Sequence, residues 1–236
     1  MKTTRGLFLI AVFAVFAGRA SAQILVCGIP LRLSLGVSGG ASQSHIQATG
    51  LLDAYFKPTK DEQRPVGTAL GLDVEAGLGR YFAISLGTRF QQRGQETKTA
   101  TVMFSDDIFE HTLQTSARMD YLTVPLILKG GINASRAWAF VRAGIEASAL
   151  TGSSLSWVID GRSAEPGSDR MPAVDIQGSD ASALVGCEAG LRFGRSGVFL
   201  SADYLYGLQS ISTSLTGSAY NRSYEGCVGY RIFFGN

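Results

Sequence analysis

Charge, histidine, proline and cysteine are all scarce in this 236-residue chain. Charged residues make up 17%, histidines number two, prolines six and cysteines three. Few histidines and dispersed cysteines match no metal-ligand spacing. An odd cysteine count in an exported chain gives no closed disulfide framework, so Cys27, Cys187 and Cys227 are expected to be unpaired thiols. The residues before Cys27 (Ile24, Leu25, Val26) lack the small residue that lipoprotein processing requires. Beyond residue 22 there is no apolar run long enough for a transmembrane helix, for which about 20 residues are needed. A membrane-spanning form would therefore have to be a closed β-barrel, the other way of satisfying every backbone hydrogen bond in lipid.

What the chain has is glycine, 29 residues, with 45% hydrophobic residues. This composition favours strands and turns over a helical bundle or a disordered chain. The start, MKTTRGLFLIAVFAVFAGRASAQ, combines a basic n-region, an apolar run and an Ala20-Ser21-Ala22 site. These are the parts of a secretory signal peptide, so residues 1–22 are expected to be cleaved and 23–236 to form one domain. Losing Lys2, Arg5 and Arg19 from 21 basic residues leaves 18 against 19 acidic ones, a net charge of −1. No basic field remains for nucleic acid.

Alternation of period two recurs eight times. LRLSLGVSG sets Leu31, Leu33, Leu35 and Val37 against Arg32, Ser34, Gly36 and Ser38. TALGLDVEAGLG sets Leu70, Leu72 and Val74 against Asp73 and Glu75. YFAISLGTRFQQ, DYLTVPLILKG, WAFVRAGIEASAL, LVGCEAGLRF, VFLSADYLYGL and YEGCVGYRIFF follow the same rule. Tight turns at 79–81, 133–136 and 194–197 alternate with long polar connections, roughly 41–66, 97–115, 153–181 and 209–222. Short turns on one rim and long loops on the other is the layout of an outer-membrane barrel with its short turns in the periplasm. Aromatics cluster at both expected interfaces: Tyr81, Phe82, Phe193, Tyr230 and Phe234 at one, Phe90, Tyr206 and Tyr224 at the other.

The polar faces carry Arg32, Arg89, Lys129, Arg142, Arg192 and Arg231 against Asp73, Glu75, Glu146, Glu188, Asp203 and Glu225. Such a balanced set of six and six can pair inside a small barrel, where an isolated charge would be costly. Strand six, with Glu188 and Arg192, offers the partners expected for Arg142 and Glu146. Eight strands leave an interior that side chains fill, so no pore is expected. A soluble antiparallel sandwich would show the same alternation. The leader, the loop asymmetry and the aromatic final strand favour an all-β, eight-stranded antiparallel up-and-down transmembrane barrel.

DYLTVPLILKGGI (120–132) resembles the "YLEIPLLLK" strand of the PorT-like outer-membrane β-barrel family, and FQQRGQETK (90–98) resembles its "QKG" stretch. VRAGIEASALTGS, SADYLYGLQSI and the terminal VGYRIFF are similar to further pieces in the same order. Thr123 stands where that family often has glutamate. The resemblance implies an eight-stranded outer-membrane barrel of a family mostly without assigned activity, whose founding member is tied to protein secretion. It also implies that the aromatic final strand is read by the barrel assembly machinery during insertion.

The strongest hydrolase candidate is FSDDIFEH, where Asp106, Asp107, Glu110 and His111 are types that activate water. A serine mechanism would need His45 or His111 beside a serine such as Ser44 or Ser105. DVEAGLG has no phosphate-loop pattern, and no cofactor is expected. The expectation is a non-enzymatic outer-membrane protein contacting lipid through its wall and a protein or surface ligand through its long loops. Membership of an export or envelope assembly and a loop-based hydrolase are the alternatives.

Overall fold

The computed structural model describes residues 25–26, 29–49, 62–63, 66–102, 111–159, 162–164, 176–212 and 217–234. The expected leader (1–22), Cys27 and the acidic stretch from Ser105 to Glu110 lie outside the described residues.

Alternating apolar and polar residues build eight long strands: β1 (Ile29–Ala48), β2 (Val66–Leu78), β3 (Phe82–Val102), β4 (His111–Asn133), β5 (Ala137–Ile159), β6 (Ser179–Phe193), β7 (Ser196–Gly207) and β8 (Ala219–Phe234). Each pairs antiparallel with its sequence neighbours, and β8 pairs with β1, so the sheet closes. Short strands Glu62–Gln63 and Arg162–Ala164 add to β3 and β5, and Leu25–Val26 folds back on the start of β1. Cross-strand partners run once around the wall from Leu35 through Val74, Leu86, Leu126, Ile145, Ala183, Tyr206 and Arg222, and return to β1 at His45, ten residues on. With standard strand spacings, that stagger over eight strands gives a tilt of about 40° and a radius of about 8 Å.

The wall has the polarity the alternation predicts. Leu72 (55% exposed), Val141 (64%) and Leu200 (66%) face out, while Glu75, Lys129, Arg142 and Arg231 are buried. At this tilt each residue climbs about 2.5 Å, so the ten steps from Phe234 up to Tyr224 span about 25 Å, the height of an outer-membrane apolar band. The strands run well past it. β3, β4 and β5 have 21, 23 and 23 residues, whereas crossing takes ~9–11. Segments read from sequence as the starts and ends of long loops are therefore strand. Their outward residues turn polar above the lipid, as at Gln43, Thr68, Arg118 and Thr151, which are exposed.

The tight turns stand where expected, with Gly79 and Gly194 at positive φ, a conformation open to glycine at little cost. β2 is short, and above its end β1 meets β3 directly. At that end Ser42, still paired with Gly67 of β2, already reaches past it, its Oγ donating to the Gln92 carbonyl at 2.6 Å. Ser44 Oγ donates to the Gly94 carbonyl at 2.8 Å and accepts from the Gly94 amide at 2.6 Å. Beyond the end of β2 the Ser44 hydroxyl thus takes the place of the missing strand's backbone. Ser44→Ala is expected to destabilise the barrel by roughly 1–3 kcal/mol, because it orphans a buried amide and carbonyl. Urea unfolding in lipid vesicles measures this.

Candidate functional site: a sealed, charge-paired interior

The lumen is filled in layers. At the periplasmic end Trp138, Phe140 and Phe199 form an apolar cluster with Phe233 packed on it. Trp138 and Phe233 meet edge to face at 5.5 Å. Glycines opposite make the room: a Cβ on Gly190 would enter the Trp138 ring, and one on Gly229 the Phe199 ring.

Above this plug lies the densest charge cluster. Lys129 Nζ sits 2.6 Å from both Glu75 and Glu188. Arg231 reaches Glu188 at 2.7 Å, Glu75 at 2.9 Å and Asp73 at 3.2 Å, and Trp138 Nε1 donates to Glu188 at 2.9 Å. Arg142 reaches Asp203 at 3.1 Å, and Arg89 lies between Glu225 (3.2 Å) and Asp203 (3.6 Å). Ile127, Leu184 and Leu205 form an apolar cluster within the wall at this depth. Towards the outer end Arg93 pairs with Glu146 and, at 3.1 Å, with Asp180. Asn221 donates to Asp180 at 2.9 Å. An apolar cluster of Ile46, Ala117, Met119, Tyr121, Ile211 and Ala219 caps this layer, with Ile176 packed against it.

Ten of the twelve residues expected to pair are brought together here. Arg32 and Arg192 are not: they stand at the periplasmic mouth, below the aromatic plug, and form no ion pair among the described residues. Glu146 is paired with Arg93 instead of Arg192, and Arg142 approaches Glu188 only to 3.9 Å. Alternation gives the face of a residue but not its height on the strand. Asp180 was missed because it lies in a segment read as a long connection, and Arg93 because it falls just past the run read as the third strand, although both continue the inward parity of Arg89, Gln91 and Ser182. Among the described residues the paired set is therefore five cations against seven carboxylates.

The hydrolase candidates are not assembled. Ser44 points inward with its hydroxyl engaged by Gly94, while His45 is on the opposite face of β1, across from Arg222. His111 begins β4 opposite Val102, far up the outer extension. Among the described residues no group of His, Cys, Asp and Glu is suited to hold a metal ion. Cys187 and Cys227 are free thiols. The first is exposed on the wall, and the second is buried, donating to Glu225 at 3.2 Å.

Residues 19–213 match the family described as outer membrane protein beta-barrel domain. Among solved structures the chain is similar to Ail, the attachment invasion locus protein of Yersinia pestis, in complex with the heparin analogue sucrose octasulfate. Identity is 14% over 85% of this chain and 99% of that one, with a TM-score of 0.40. It is also similar to Neisserial surface protein A, at 10% identity over 85% and 96% with a TM-score of 0.39. The outer membrane protease OmpT from Escherichia coli gives 10% identity over 86% and 97% with a TM-score of 0.48. At these identities and scores the likenesses say nothing of activity. No curated protein matches.

Proposed function

The chain belongs to the outer membrane protein beta-barrel domain family, and from that premise we propose that it is a non-enzymatic outer-membrane anchor whose outer end binds a protein or surface ligand. The observation that carries this reading is the lumen, packed with paired charges and closed by an aromatic plug below and an apolar cap above. Such a barrel conducts nothing and is rigid. What it offers to its surroundings is the strand extension of β3, β4 and β5, which stands clear of the lipid and carries polar outward residues. Within the family, DYLTVPLILKGGI and the terminal VGYRIFF support a place in the PorT-like branch, and the basic, apolar, A-x-A start supports export through a cleaved leader.

The test is reconstitution of the mature protein with outer-membrane lipids and with exposed peptides. No product is expected to form. Hydrolysis that disappears on His45→Ala or His111→Ala would overturn the reading. Shortening the β3–β4 and β5–β6 connections should remove ligand binding at intact cells while leaving heat-modifiable migration unchanged.

A further inference from the structure

The short turns have a composition that neither the fold nor the charge network explains. Segments 79–81, 133–136 and 194–197 contain three arginines, Arg80, Arg136 and Arg195, and no acidic residue. All three are exposed. Each is also fixed by its own backbone. The Arg80 carbonyl accepts from the Asn133 amide at 3.0 Å, that of Arg136 from Arg192 at 2.8 Å, and that of Arg195 from Phe233 at 2.8 Å. The rim therefore presents its cations from braced positions, which lowers the ordering cost of binding.

Two further arginines face into the mouth that this rim encircles. Arg32 and Arg192 lie on the inward faces of β1 and β6, below the aromatic plug. The Arg192 guanidinium sits over the Phe233 ring at 3.8 Å, and its Nε is buried with no hydrogen-bond partner. Neither forms an ion pair among the described residues. Glu75, the closest carboxylate along the wall from Arg32, is held by Lys129 and Arg231. Unpaired like charges gathered at one place are unfavourable unless something anionic comes to them.

We propose that this five-arginine bowl at the periplasmic mouth is a docking site for a carboxylate-rich protein segment, a chain of Asp and Glu side chains presented end-on by a periplasmic partner. Charge complementarity selects an anion. The position of Arg32 and Arg192 selects its form, because lipid phosphates lie outside the wall and reach the turn arginines but not the lumen. Guanidinium forks bind carboxylates bidentately, and the aromatic floor accepts apolar side chains between them. The site is independent of what the outer end binds.

The mature protein in neutral detergent is titrated with a fluorescent poly-glutamate peptide, with Arg118→Gln at the outer end as control. Binding is expected to weaken steeply with salt. It should fall roughly tenfold or more in Arg32→Gln and in Arg192→Gln, and stay unchanged in the control, all variants keeping heat-modifiable migration. Persistence of binding when phosphatidylglycerol is added to the micelles supports the luminal site. Absence of binding by the wild type, or binding indifferent to Arg32 and Arg192, overturns the proposal. So does full competition by phosphatidylglycerol with only the turn arginines mattering, which makes the rim a lipid contact.

Discussion

Glu188→Ala is expected to destabilise the barrel by roughly 3–5 kcal/mol, the range for breaking a buried ionic cluster from one side. Glu188 is 2% exposed and meets Lys129, Arg231 and the Trp138 indole at 2.6, 2.7 and 2.9 Å. Its removal leaves two cations sharing Glu75 and strips an aromatic plug residue of its acceptor. Glu188→Gln should lose less, since the amide oxygen still accepts from Trp138. Pairing Glu188→Gln with Lys129→Met should cost less than the sum of the two single changes, because the second removes a cation the first left under-compensated. Arg192→Ala, which breaks no ion pair among the described residues, should fall near or below ~1 kcal/mol. Urea unfolding in lipid vesicles orders these variants. Equal losses for Glu188→Ala and Arg192→Ala would mean that the charge cluster does not hold the wall together.

Leu72→Arg is the second large effect. Leu72 faces outward at 55% exposure, near the middle of the band that runs from Phe234 to Tyr224. An arginine near the bilayer midplane of a barrel wall costs ~2–4 kcal/mol. Thr151→Arg, at an exposed position on β5 above that band, should cost almost nothing. The comparison is made by folding yield into vesicles and by heat-modifiable migration. Matching yields for the two variants would place the lipid boundary elsewhere on the wall.

The lower two thirds of this barrel were legible in the chain because lipid outside and charge inside give the greatest possible contrast at every second residue. Leu70, Leu72 and Val74 against Asp73 and Glu75 leave no doubt about which face is which. Above the band that contrast disappears. β1 continues through Gly39, Ala41, Gln43 and His45 on its outer face with Gly40, Ser42 and Ser44 within, and a polar sequence on both faces reads as loop. The same fading hid Arg93, Asp180 and Asn221, which hold the outer charge layer. At the other end the difficulty was different. Trp138, Phe140 and Phe199 sit on inward positions where a charged lumen suggested polar residues, so the plug was invisible to a rule of polar in and apolar out. Arg32 and Arg192 were given the correct face, and only the stagger of the closed sheet reveals that they stand at the mouth.

The sealed interior is tested most directly by single-channel recording of the mature wild-type protein in planar bilayers, with Trp138→Ala/Phe199→Ala as the opened comparison. The packed layers predict a silent baseline for the wild type at either polarity, with current steps emerging only when the plug is removed and the charge layer loosens. A steady open channel in the wild type would contradict a filled lumen and make the protein a conduit rather than an anchor.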